Sequence, residues 1–265
     1  MISSLRSRTA LVTKKLLYGT RGEPFSFGDF RLRYVVGTRP VRLKYATSTD
    51  VVSRNDAKQA QFFLDNVRVG QVVLDIGGHY GEYAVLFAAL VGSTGRVISF
   101  EPDIDARPLL RANLALNGFT DRVIVEDCAV SDTVGPQLLF ARQGNSKSSL
   151  ARAGLGGSPA DDDVQKYEVP VVRLDEYVRR TQLQYPDFIK LDVEGAEINA
   201  LRGAGDVLRS KVVIVCELHP YAWRGFGTSF GDLLRVVEDS GRSISYLDNA
   251  EQIDQGPKYG AVVIS

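Results

Sequence analysis

Five acids, two histidines and one group of glycines are the residues through which this sequence can do chemistry. Asp75, Glu101, Asp127, Asp192 and Glu217 each close a short apolar run, at 72–74, 96–100, 123–125, 188–191 and 212–216. Runs of this length, rich in valine and isoleucine, read as buried strands. In an open α/β sheet ligands collect beyond the carboxyl ends of the strands, so five carboxylates would gather along one edge. The only two histidines, His79 and His219, fall at the same edge. Carboxylates and imidazoles there can accept hydrogen bonds, hold a cationic ligand or move a proton.

The first strand runs into Gly77, Gly78 and Gly81, then into an apolar stretch, 83–90, that suits a packed helix. Strand, glycine turn, helix is the layout of a nucleotide-binding crossover. The turn is not a dinucleotide fingerprint, because G-x-G-x-x-G needs a glycine where His79 stands. Asp75 directly before the turn would repel a pyrophosphate, yet it suits an ammonium group. Glu101, followed by Pro102, lies twenty residues after Gly81 and can accept both ribose hydroxyls, at roughly 1.5–3 kcal/mol for each charge-assisted bond. Glu101 alone would suit NAD equally well. Asp75 and Glu101 together favour S-adenosyl-L-methionine, which carries an ammonium and a sulfonium but no phosphate. His79 and Tyr80 then serve the turn, with backbone N–H groups near the ligand. At the third strand end, Asp127 and Cys128 would meet the adenine, Asp127 accepting its exocyclic amine; an Asx-type turn is an equal reading. Helix caps are the plain alternative for all these acids.

The last two acids lie on the far half of the edge, where an acceptor would bind. Asp192 is either the N-cap of the helix that follows or a group facing the acceptor. In the second case it takes a proton or binds a divalent ion through oxygen, together with Glu217; no metal is predicted. His219 is either a base, oriented by Glu217, or a structural residue braced in the turn before Pro220.

These residues need a frame. Residues 1–20 suggest an amphipathic helix, 25–45 two or three short strands, and 52–66 a helix. Helices are further expected at 105–117, 174–181, from 192 through 201, and at 230–240. The runs 138–140 and 167–172 look like a hairpin. The segment between them, 142–163, is rich in Gly, Ser, Ala and Asp; it is a lid or a plain loop. Strands at 243–247 and 261–264, close in sequence, fit one antiparallel strand in an otherwise parallel sheet. Lysine plus arginine equals aspartate plus glutamate, at 32 each, so net charge gives no reason to expect nucleic acid. Cys128 and Cys216 have no metal spacing, and a reducing, cytoplasmic setting is expected. No apolar run reaches the ~20 residues that span a bilayer, so stable membrane insertion is not expected.

Several blocks together resemble the FkbM-type methyltransferases. They are Val73-Leu-Asp-Ile-Gly-Gly-His-Tyr-Gly-Glu-Tyr83, Gly95-Arg-Val-Ile-Ser-Phe-Glu-Pro102, Ala129-Val-Ser-Asp132, Ile189-Lys-Leu-Asp-Val-Glu-Gly-Ala-Glu197 and Glu217-Leu-His-Pro220. The resemblance covers roughly 60–250, and Lys-Leu-Asp-Val-Glu-Gly-Ala-Glu is its most specific piece. In one departure the turn reads Gly-Gly-His, where Gly-Ala-Asn is more usual. The resemblance implies S-adenosyl-L-methionine-dependent O-methylation, commonly of sugars or natural-product hydroxyls.

The expected architecture is therefore α/β, a Rossmann-like, doubly wound and mostly parallel sheet of the class I methyltransferase type. It carries one antiparallel strand and a small N-terminal β/helical appendage. The appendage would take 1–60 and the cofactor-binding domain 61–265. A small-molecule or glycan acceptor is the expected partner, and a homo-oligomer is compatible with the chain. An NAD-linked oxidoreductase and a noncatalytic cofactor-binding module are the alternatives.

Overall fold

A computed structural model describes residues 23–27, 30–34, 54–142, 147–156, 164–248, 253 and 256–265. The amphipathic helix expected at 1–20 lies outside these residues, as does any strand near 41–45. What is described of the appendage is an antiparallel hairpin, β1 (Glu23–Phe27) and β2 (Phe30–Tyr34).

The main sheet has seven strands. In chain order they are β3 (Val72–Ile76), β4 (Arg96–Phe100), β5 (Val123–Glu126), β10 (Phe188–Leu191), β11 (Val213–Leu218), β12 (Ile244–Tyr246) and β13 (Gly260–Ile264). Across the sheet the order is β12-β13-β11-β10-β3-β4-β5. Pairing is parallel from β5 to β11, and β13 is antiparallel to both its neighbours. The predicted single antiparallel strand is thus present. Winding leaves β3 toward β4 and β5, then restarts on its other side with β10. The strand order reverses between β3 and β10, where an open α/β sheet makes its ligand crevice.

Both faces of the sheet are covered, which explains why its strands are apolar throughout instead of alternating. One face packs on the helix Glu82–Leu90, buried on nearly every side. Phe63, from the helix Arg54–Asn66, meets the Phe87 ring edge-on at 4.7 Å and ties that helix to the same core. The other face packs on the helices Leu174–Thr181, Glu197–Arg202 and Phe230–Asp239. Among the described residues no helix is long and apolar enough to cross a membrane.

A second sheet grows between β5 and β10. It contains β6 (Ala129–Val130), β7 (Gly135–Arg142), β8 (Ser148–Ser149) and β9 (Val164–Val172), in the order β6-β9-β7-β8. β7 and β9 pair antiparallel over eight residues each, more than the two short runs expected there. Part of the 142–163 segment is ordered structure: β8 and a 3-10 turn, Arg152–Leu155, run over the carboxyl edge of the main sheet.

The turn after β3 depends on Gly77. Its φ is +87°, and a Cβ there would lie 1.8 Å from the Asp192 carbonyl oxygen. Gly77→Ala should therefore cost at least about 2 kcal/mol, seen as a lowered midpoint in urea unfolding. A wild-type midpoint would mean that the two turns are not in contact.

Candidate active site

The β3–β10 seam sets the geometry. Lys190 stands opposite Asp75 in the parallel register, in the middle of an apolar strand. It is 3% exposed, and its Nζ lies 3.7 Å from Asp75 Oδ1 and 3.3 Å from Asp192 Oδ2. It also donates to the Gly77 carbonyl at 3.2 Å. Burial disfavours this charge, but Asp192 and then Asp75 overcome it and hold the ammonium above the ordinary lysine range. Burial raises the Asp75 carboxyl, opposed by Lys190 and by the Ser99 hydroxyl, which donates to Oδ2 at 3.1 Å.

Around this seam lies a cavity of about 220 Å³. Asp75, Gly77, Gly78, His79, Glu101, Pro102, Cys128 and Asp192 all line it, as the sequence analysis expects. Glu101 accepts from the His79 N–H at 2.6 Å and the Asp103 N–H at 2.7 Å. Burial pushes its carboxyl up to about 7, against those two donors. His79 sits at φ +46°, and burial drives its imidazole down to about 4. Apolar side chains, Val130 and Leu139 among them, form the wall beside Cys128.

Other expected residues are not on the cavity wall. Tyr80 gives its carbonyl to Asn113 Nδ2. Gly81 is the left-handed residue just before the helix Glu82–Leu90 and packs on Leu110. The Asp127 side chain is 70% exposed, nearest to Arg107 at 3.9 Å. The cavity lining on this side begins at the next residue, Cys128.

The far half of the edge differs in detail from expectation. Asp192 is not the helix N-cap: the helix starts at Glu197, preceded by Ala196. The turn between them takes left-handed geometry at Glu194, φ +49°, and Gly195, φ +105°. Nor does Glu217 orient His219. That role falls to Glu197, whose Oε1 lies 2.9 Å from His219 Nδ1. Glu217 instead accepts from the Tyr259 hydroxyl, and burial with the nearby Asp192 charge raises it to about 7. His219 is buried, with Nε2 3.5 Å from Glu194 Oε2 and 3.9 Å from Asp192 Oδ1.

Sequence reasoning missed Lys190 and Glu197 as parts of this constellation. A lysine inside an apolar four-residue strand was the available signal for the first. The segment 142–163, expected as a lid or a plain loop, brings 147–150 to the site. Ser148, Ser149 and Leu150 line the cavity. Ser149 Oγ donates to the Glu194 carbonyl at 2.8 Å, and Lys147 Nζ lies 3.2 Å from Glu194 Oε2. One ligand atom each from Asp192, Glu194 and His219 lie within 4.8 Å of one another. Lys190 and Lys147 already supply positive charge at that spot.

The family model described as the methyltransferase FkbM domain matches residues 75–244, more than half of the chain. The chain belongs to that family. It is an S-adenosylmethionine-dependent methyltransferase. Among similar proteins is the 31-O-demethyl-FK506 methyltransferase FkbM of Streptomyces tacrolimicus, 29% identical over 177 residues, covering 58% of this chain and 67% of that enzyme. Another is the hexuronic acid methyltransferase AglP of Haloferax volcanii, 22% identical over 172 residues, 63% of each chain. The solved methyltransferase FkbM of Methylobacillus flagellatus KT is 18% identical with a TM-score of 0.47, covering 74% of this chain and 44% of that one. This methyltransferase therefore spans about two thirds of the length of these two relatives and less than half of that solved structure.

In the methyltransferase, Lys190 is the one cation between Asp75 and Asp192 among the described residues. Removing one partner of a buried ion pair typically costs about 3–5 kcal/mol. Lys190→Met should lower unfolding stability by about that much, and adding Asp75→Asn should restore part of it. If the double variant is no more stable than the single one, the two side chains are not coupled.

Proposed function

We propose that this methyltransferase methylates a hydroxyl oxygen of a small-molecule acceptor, a sugar or a natural-product intermediate. The observation that carries the reading is that Asp192 lines the same cavity as Asp75 and Glu101 while Lys190 engages only its Oδ2. Oδ1 is left for another proton donor. The names of the two relatives, one an O-demethyl substrate's enzyme and one a hexuronic acid enzyme, support an oxygen acceptor of this kind.

The cavity fits the cofactor by the chemistry of its groups. Asp75 Oδ1 is a buried acceptor with no hydrogen-bond partner, and His79 Nε2 is likewise unpartnered. Asp75 suits the ammonium of the amino-acid end, and Glu101 the two ribose hydroxyls. The backbone at Gly77 and Gly78 allows close approach, and His79 and Pro102 bound the ribose side. Cys128, Val130 and Leu139 would flank the adenine. Cys128 stays a thiol, since burial raises it to about 12. Bound S-adenosyl-L-methionine supplies an already activated methyl group. What remains for the protein is alignment, which contributes up to roughly 7–11 kcal/mol in the best intramolecular models, and proton removal. Asp192 Oδ1 takes the acceptor's proton. Its carboxyl is held below the ordinary range: burial raises it, but Lys190 and His219 outweigh that. The division into an appendage up to about residue 60 and a catalytic domain after it belongs to the same proposal.

Two outcomes test this reading. Asp192→Asn should cut kcat by about 10²–10⁴, the range general-base groups supply, while S-adenosylhomocysteine affinity changes little. Wild-type turnover would remove Asp192 from the reaction. Because Glu101 accepts ribose hydroxyls best when ionised, S-adenosylhomocysteine should bind roughly tenfold tighter at pH 8 than at pH 6. Glu101→Gln should bind weakly with that slope gone; an equal slope in the variant would assign it to another group.

A further inference from the structure

The hydrogen bonds around His219 decide its charge. Glu197 is fully buried and accepts three contacts: the Gly195 N–H at 2.6 Å and His219 Nδ1 at 2.9 Å on Oε1, and the Trp223 indole N–H at 2.9 Å on Oε2. A backbone N–H and an indole N–H can only donate. Glu197 is therefore an acceptor on both oxygens, and Nδ1 must carry a hydrogen. The other ring nitrogen, Nε2, faces Glu194 Oε2 at 3.5 Å and Asp192 Oδ1 at 3.9 Å. Glu194 Oε2 already accepts from Lys147 and from the Tyr221 hydroxyl at 3.0 Å. Asp192 Oδ2 already accepts from Lys190. Both neighbours of Nε2 are carboxylates that already pair with a lysine, and two such groups facing Nε2 favour a hydrogen there as well.

We infer that Glu197 is a positioning residue that locks His219 as an imidazolium, so that His219 gives Asp192 a fixed positive neighbour and has no lone pair to act as base. The inference rests on the proposed function only in assigning the acceptor's proton to Asp192; the charge of His219 follows from the contacts alone. The ring is enclosed on every side. Asp192 and Glu194 face it from the turn after β10, and Glu197 from the start of the helix that follows. Tyr221 and Tyr259 meet it edge-on at 5.8 and 5.5 Å, and Glu217 is tied to Tyr259. Lys147 and Lys190 reach it only through the carboxylates they pair with. Burial disfavours the charged ring, but the Glu197 hydrogen bond and the charges of Asp192 and Glu194 raise it to about 9.

The consequence for transfer is chemical. With Lys190 on one oxygen and His219 near the other, Asp192 is a weak base. It accepts a proton only as the acceptor becomes acidic. The acceptor oxygen forms its bond to the methyl carbon as the carbon–sulfur bond breaks, its electron pair leaving on sulfur. The O–H bond then breaks, its electron pair stays on oxygen, and the proton passes to Asp192 and on to water. The site thus matches a neutral hydroxyl that loses its proton late.

The two histidines make a direct test feasible. In the full, uniformly ¹⁵N-labelled chain, ring ¹⁵N shifts report each imidazole's protonation, and a His79→Asn sample assigns the signals. At pH 7.5 His219 should show two protonated nitrogens and His79 a neutral ring. In Glu197→Gln the His219 midpoint should fall by at least one pH unit. Trp223→Phe, which keeps the carboxylate, should leave the ring charged. A neutral His219 in the wild-type chain, or an unchanged midpoint in Glu197→Gln, overturns the inference. If Glu197→Gln does not fold, the wild-type titration still decides. An inactive or active Asp192→Asn does not bear on these shifts.

Discussion

One buried ammonium holds the catalytic edge together. Lys190 Nζ lies between the carboxylates of Asp75 and Asp192 and donates to the Gly77 carbonyl. Asp75 belongs to β3, and Gly77 and Asp192 to the two turns that meet where the strand order reverses. Buried ion pairs seldom stabilise a fold more than apolar side chains of the same size would. The pairing matters here for what it fixes. It places one positive charge between two acids, sets the spacing between the halves of the site, and occupies one oxygen of Asp192. The close approach at Gly77 serves the same seam from the backbone.

Most of the frame is legible in the sequence because each of the five parallel strands is a short apolar run closed by an acid. The expected limits of the strand 188–191 and the helix 174–181 match the structure. The winding order follows from where the glycine turn falls. The departures have physical causes. Asp192 looked like a helix cap because acid followed by acidic first turn is a capping pattern. Yet Glu194 and Gly195 take left-handed geometry and delay the helix to Glu197. Glu217 looked like the partner of His219 because it is two residues away. Side chains two apart on a strand do share a face, but His219 lies past the end of β11, and its ring turns toward Glu197 instead. Contacts between distant segments, such as 147–150 against the Glu194 turn, leave no local pattern to read.

The two halves of the edge are electrically distinct. On the β3–β4 side, Asp75 and Glu101 are buried acids whose carboxyls are raised, with unfilled acceptor capacity at Asp75. On the β10–β11 side, every acid has a cationic or hydroxyl partner: Lys190 for Asp192, Lys147 for Glu194, His219 for Glu197 and Tyr259 for Glu217. An arrangement of that sort binds a cation-bearing ligand in the first half. In the second half it offers acceptor oxygens that are each held by a partner. The segment around β8 reaches over both and contributes Ser148 and Ser149 to the cavity and Lys147 to Glu194, so it bears on cofactor and acceptor alike.

A crystal structure of the full chain with S-adenosylhomocysteine tests this division most directly. The ribose should lie on the Glu101 carboxylate and the homocysteine amine beside Asp75, with the sulfur facing the side of the cavity formed by Asp192. Electron density for the ligand anywhere else, or with its adenine end at Asp192, would contradict the account.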